Sequence, residues 1–117
     1  MSEERRAAER HLSCIPAYII GPAAEKALAL IRDVSVTGAR ILTRAELDEG
    51  ALVTLELYLS ADSSEALIAS GVALRVQPNP DNDQWRWQVG VRFEPSIDQH
   101  SKLIEEFTQR QREAKLL

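Results

Sequence analysis

A single cysteine, Cys14, excludes an internal disulfide and any metal site built from several cysteines. Long apolar runs are missing too: no stretch approaches the roughly 18 residues of a spanning helix, so no membrane insertion is expected. The charged start Met1-Ser2-Glu3-Glu4-Arg5-Arg6 leads into no long apolar stretch. That argues against a secretory signal and makes the cytoplasm the expected compartment. Phosphate cradles of the G-x-x-x-x-G-K-[ST] and G-x-G-x-x-G types are absent. His11 and His100 stand in no metal-ligating or catalytic spacing, and a Cys14–His dyad would require the fold to bring distant residues together. Cys14 sits inside an apolar strand pattern, the setting of a buried and inert thiol. Acidic residues are scattered over turns and the final helical stretch, where they form a solvated face. No catalytic residue, metal or cofactor is therefore expected, and the protein is not read as an enzyme.

What is present is an ordinary globular composition, 44% hydrophobic and 27% charged in 117 residues. This is enough for one domain and too little for a second core. A net charge of −4 argues against a general DNA or RNA binder, which carries a basic footprint. The basic residues are lopsided, eleven arginines against three lysines. Arginine offers a flat donor fork that suits phosphates and guanine edges and stacks on planar rings. Genome composition accounts for the same bias, so both explanations stay open.

From Leu12 the chain reads mainly as strand. Leu12 to Ile20 is apolar and ends at Gly21-Pro22. Ala27 to Val34 fits a strand or a short helix. Ala39 to Arg44 alternates imperfectly after Gly38. Leu52 to Leu59 is the cleanest strand, with Val53, Leu55, Leu57 and Leu59 on one face. Alternation resumes at Val72, Leu74 and Val76, and Gly71 marks a bulge or a close approach. Pro78 to Asp83 is a loop. Trp85, Trp87, Val89, Val91 and Phe93 then share one face, and Arg86, Gln88, Gly90 and Arg92 the other. The tryptophans could form a base-stacking platform, but their continuity with Val89, Val91 and Phe93 reads as core. Ser96 and Gln99 form a capping-box pair ahead of Leu103, Ile104 and Phe107 at helical spacing. The tail from Thr108 reads as a frayed extension or a partner-docking segment. The expected fold is a small six-stranded antiparallel β-barrel with a C-terminal helix. One domain spans 1–117, divided into an arm (1–11), the barrel (12–94) and the helix (96–115).

Two motifs stand out. Arg6-Ala7-Ala8-Glu9-Arg10 is R-x-x-x-R, with Arg5 adjacent, and Asp33-Val34-Ser35-Val36-Thr37-Gly38 is D-x-S-x-x-G. Each has a structural explanation. Arg6 and Arg10 would share a solvated face if the arm is helical. The second motif would be a Ser- or Asx-stabilised turn with a left-handed glycine. A second R-x-x-x-R, Arg40 to Arg44, falls inside a strand and reads as a chance copy in an arginine-rich chain.

In order and spacing, and ahead of a small barrel, the two motifs resemble the PilZ domain family of cyclic di-GMP receptors. Arg10-His11-Leu12-Ser13-Cys14-Ile15-Pro16 looks like the family's lead into its first strand. Arg32-Asp33-Val34-Ser35 with Gly38-Ala39 is similar to its second-to-third strand turn, and Gly90-Val91-Arg92-Phe93 to its last strand. The resemblance implies a cyclic di-GMP ligand. Arg6 and Arg10 would contact phosphates and guanine edges and stack on the purines. Asp33 would accept from a guanine, Ser35 would add a hydroxyl contact, and Gly38 would let the backbone turn beneath the ligand. Arg5 and Arg32 are lesser candidates on exposed positions. Val36-Thr37 replaces smaller residues of the family pattern, and Glu9 can compete for either arginine.

The arm before Leu12 is expected to fold over the ligand and change the surface offered to an unidentified effector protein. The oligomeric state stays open. Two other readings compete: a PilZ-like interaction module that no longer binds nucleotide, and a barrel for single-stranded nucleic acid. The charge and the core-like tryptophans speak against the second.

Overall fold

A computed structural model describes residues 10–59, 66–80, 82 and 84–114. Six strands follow in order: β1 (His11–Ile20), β2 (Lys26–Val34), β3 (Gly38–Thr43), β4 (Leu52–Leu57), β5 (Leu67–Pro78) and β6 (Trp87–Phe93). A 3-10 turn, Asp98–His100, leads into one helix, α1 (Ser101–Glu113). Every strand pair is antiparallel, and the sheet closes as β1-β2-β3-β6-β5-β4. The expected six-stranded barrel with a C-terminal helix is the architecture found. No helix among the described residues is long and apolar enough to cross a membrane.

Side-chain alternation builds the core. Val53, Leu55 and Leu57 of β4 point inward, as do Val89, Val91 and Phe93 of β6. Trp87 is half-buried against that core, and Trp85 is half-buried just ahead of β6. Ala27 to Val34, open between helix and strand in the sequence, is strand. It pairs with β1 on one side and β3 on the other, and Ala29 and Ile31 enter the core. Two hydrogen-bonding neighbours outweigh the few tenths of a kcal/mol by which Ala and Leu favour helix.

Two expectations at the C-terminal end need correction. Ser96 and Gln99 form no capping box: the helix begins at Ser101, and the Ser96 hydroxyl bonds Asp98 Oδ2 at 2.7 Å. Ile97 is buried and donates its N–H to the Val36 carbonyl at 2.8 Å. This tether holds the chain against the β2–β3 turn and delays the helix. The tail is also not frayed from Thr108, because α1 continues to Glu113 with Thr108 and Gln111 buried.

Gly71 marks a close approach rather than a bulge. A Cβ there would collide with the Arg92 carbonyl oxygen and crowd Val91 Cγ1. The irregularity of β5 lies three residues on, at Leu74. At Gly90, in contrast, a Cβ would meet only Arg75 Cβ, at 4.0 Å. Gly71→Ala is therefore expected to lose about 1–3 kcal/mol through overpacking. Gly90→Ala is expected to hold its stability or gain about 0.4–1 kcal/mol through the unfolded chain. Urea unfolding of both variants checks this, and equal shifts would contradict it.

Candidate functional site

Two slips in the strand register assemble the site. Between β2 and β3, Ile31 faces Ile41 but Asp33 faces Arg40, so Arg32 is an extra residue. Alternate residues of a strand share a face, and Asp33 would otherwise follow Ile31 into the core. The slip turns it to the outer wall, as bulges do. Between β5 and β6, Ala73 faces Val91 but Arg75 faces Gly90, and Leu74 is the extra residue. The result is one cross-strand row over four strands: Asp33, Arg40, Gly90, Arg75.

Asp33 anchors the row. Arg10 Nη1 lies 2.5 Å from its Oδ1, and Arg40 Nη2 lies 2.8 Å from its Oδ2. The carboxylate side chain is only 7% exposed, whereas the arginine side chains are 56% and 52% exposed. Asp33 thus holds both forks from below and leaves their remaining donors facing outward. Around the row lies an open trough of about 370 Å³, lined by Arg10, Asp33, Arg40, Arg75, Gln77 and Gln88, with Gly90 on its floor. It gathers three arginines against one carboxylate, in a chain whose net charge is −4. Arg75 pairs with no carboxylate among the described residues. Arg40 and Arg75 stand on strands either side of β6, two strand spacings or about 10 Å apart. With no side chain at Gly90 between them, a planar ring can lie there flanked by guanidinium groups. Gln77 and Gln88 pair directly across β5 and β6 and present amides that both donate and accept. Such an arrangement can neutralise phosphate, stack on aromatic planes and read base edges.

Arg10 and Asp33 are thus brought together. Arg5 and Arg6 lie outside the described residues. Arg32, the extra residue of the first slip, is exposed and does not line the trough. Ser35 and Gly38 do not line it either. The Ser35 hydroxyl is buried and engaged on its own turn. It accepts from the backbone N–H of Thr37 and of Gly38, both at 3.2 Å, and lies 3.1 Å from Thr37 Oγ1. The Ser35 N–H donates to the Gly38 carbonyl at 2.8 Å. The serine-stabilised turn weighed from the sequence is present, but its glycine is not left-handed: among the described glycines only Gly50 has such a φ, 90°. Gly38 is required for a different reason, since a Cβ would strike the Val91 carbonyl oxygen of the paired strand.

Sequence reasoning missed Arg40, set aside with the chance copy of R-x-x-x-R, and also Arg75, Gln77, Gln88 and Gly90. The alternating polar face Gln88, Gly90 of β6 was visible as a pattern. Arg75 falls opposite the Val72, Leu74, Val76 face in the sequence pattern, but its place beside Gly90 depends on the slip at Leu74.

The PilZ domain model matches residues 4–110 of the chain. Among curated proteins none matches. The fold is similar to the PilZ domain with c-di-GMP of YcgR from Escherichia coli, with TM-score 0.71, 16% identity, and 95% of this chain and 97% of that one covered. It is also similar to the Bacillus subtilis inhibitor of motility, MotI/DgrA, with TM-score 0.67 and 14% identity over 95% of this chain. The PlzA protein of Borreliella burgdorferi, in complex with c-di-GMP, gives TM-score 0.55 and 16% identity over 92% of this chain. The match covers 53% of MotI/DgrA and 37% of PlzA, so this chain corresponds to part of those proteins. By the extent of the family match, the chain belongs to the PilZ domain family.

Proposed function

We propose that this protein is a non-catalytic cyclic di-GMP receptor. The observation that carries the reading is the outer-wall row in which Asp33 holds Arg10 and Arg40 and Gly90 separates Arg40 from Arg75. Two structural neighbours, of YcgR and PlzA, are c-di-GMP complexes, which supports the choice of ligand. Cyclic di-GMP carries two phosphate charges and two guanines. Guanine presents O6 and N7 to an arginine fork, a pairing worth about 1–3 kcal/mol. Arg10 and Arg40 take phosphate and guanine edges, and Arg75 closes the slot over Gly90. Asp33 orients the forks and offers its remaining lone pairs to guanine N–H groups. Ser35 and Gly38 shape the turn that sets the Asp33–Arg40 register, and Arg32 is a peripheral cation.

The trough is near the lower end of the roughly 300–1,000 Å³ of small-molecule sites, so it holds one face of the ligand. The arm, residues 1–11, supplies the other face through Arg5 and Arg6. Its ordering over the ligand alters the surface met by an effector protein, coupling ligand to output through differential contacts. The receptor acts in the cytoplasm.

Calorimetric titration with cyclic di-GMP is the primary test. The parent binds, and Arg10→Ala, Asp33→Ala and Arg40→Ala each weaken binding by roughly 5- to 150-fold, the equivalent of about 1–3 kcal/mol. Gly90→Leu fills the floor and abolishes binding while the barrel stays folded. GTP and single-stranded DNA give no comparable heat. Absence of binding by the folded parent would sink the reading and leave a module that works through protein contacts alone. For the arm, limited proteolysis before Leu12 slows when ligand is present; equal cleavage in both states refutes its ordering. Ser35→Ala behaves differently from the arginine variants. It loses about 1–3 kcal/mol of stability in urea unfolding because the Gly38 N–H is left unpaired, and an unchanged midpoint would return Ser35 to the ligand.

A further inference from the structure

Among the described residues, the start of β1 has a strand neighbour on one side only. β4 pairs with β1 only over Ala17–Ile20, extended by one bond from the Tyr58 N–H to the Pro16 carbonyl at 3.2 Å. On the other side of the strand, Leu12 faces Asp33 and Ile15 faces Ile31, so β1 carries one residue more than β2 between these pairs. Ser13 is tied inward, its hydroxyl donating to the Ile31 carbonyl at 2.8 Å. The backbone groups of Cys14 that face away from β2 have no strand partner among the described residues.

Gln111 of α1 supplies that partner. Its Oε1 accepts from the Cys14 N–H at 2.9 Å, and its Nε2 donates to the Cys14 carbonyl at 2.9 Å. One side-chain amide thus imitates a peptide group of a neighbouring strand, across 97 residues of sequence. Gln111 is 7% exposed and shares the buried stripe of α1 with Ile104 and Thr108. An apolar residue would serve the packing as well, but it would leave both backbone groups unmet. This contact lies two residues from the Leu12–Asp33 pair and four from Arg10, the residue Asp33 holds. Arg10 also borders the groove between β1 and α1, together with Glu105, Gln109 and Arg112.

We infer that Gln111 is a positioning residue of the ligand site, and that its hold on Cys14 couples docking of α1 to ligand affinity. The inference rests on the cyclic di-GMP reading. While Gln111 holds the bulge, the start of β1 keeps one path and Arg10 meets Asp33 with its outward donors aimed into the trough. Once the amide lets go, the strand start gains freedom and the ligand must order it again. Coupling is reciprocal, so a ligand gripping Arg10 also strengthens the Gln111–Cys14 contact.

The test compares Gln111→Met, which keeps length and packing but loses both hydrogen bonds, with Gly71→Ala, destabilised by overpacking at a position that does not line the trough. Cyclic di-GMP is titrated into the folded proteins. The expected result is affinity about 5- to 50-fold weaker in Gln111→Met, within the usual range of coupling between sites, and near parental affinity in Gly71→Ala. In the unmutated protein, saturating cyclic di-GMP slows hydrogen exchange of the Cys14 amide by a similar factor. Parental affinity in Gln111→Met, or equal Cys14 exchange with and without ligand, overturns the inference and leaves the receptor reading intact. No binding by the parent overturns the receptor reading itself, and this inference with it.

Discussion

One carboxylate governs the candidate site, and a register slip decides where that carboxylate sits. Had β2 kept its alternation past Ile31, Asp33 would lie among Ile15, Ile31 and Ile41, where an unpaired charge costs many kcal/mol. The extra residue at Arg32 sends it to the wall, still largely shielded, beneath two half-exposed arginines. The value of this pairing lies less in stability than in geometry. Partly buried ion pairs return little net free energy after desolvation, but a fork held at one carboxylate oxygen has already lost part of its rotamer freedom. A ligand that uses its outward donors meets a lower ordering cost.

The second slip, at Leu74, completes what the first begins. A barrel wall is convex and offers no cleft of its own, so a site on it must be made by raising some positions and leaving one bare. Arg40 and Arg75 stand up on flanking strands, while Gly90 between them carries nothing. Closure of the sheet leaves the central strands of this wall paired on both sides, and rigid elements hold a site more precisely than loops do. The local excess of arginine explains how an acidic chain can present a cationic face: the charge that matters is the charge within a few ångströms of the trough.

How far this was legible in the sequence follows from what each feature depends on. Val53 to Leu57 and Val89 to Phe93 announce themselves because inward and outward positions alternate without interruption. Asp33, Ser35 and Gly38 are visible as a motif, yet their division of labour is not. Ser35 spends its hydroxyl on the turn, and Gly38 is needed because of a carbonyl more than fifty residues away in sequence, that of Val91. Arg40 stood next to the motif and was masked by an accidental spacing to Arg44. Arg75 reads as outward beside Val76, but its alignment with Gly90 and Arg40 was beyond reach, since a bulge shifts the cross-strand register. Gln111 fell within the tail read as frayed or partner-docking, and only its two bonds to the Cys14 backbone give it a purpose.

Arg10 is where these constraints meet. It lies one residue ahead of β1 and borders both the trough and the groove beneath α1. Among the described residues, strand pairing begins at His11, which faces Val34. The side chain is therefore steered by two things: the carboxylate it grips, and the path of the strand that follows it. Asp33 fixes the first through the slip on β2. The second depends on how the bulge at Ser13 and Cys14 is satisfied, because a bulge changes the bend and twist of its strand. A residue at the entry to a rigid wall is well placed to respond to a ligand, since its target carboxylate is already in position. That asymmetry, a fixed carboxylate and a fork held through its strand, is what the proposed receptor would use to register the arrival of a small dianion.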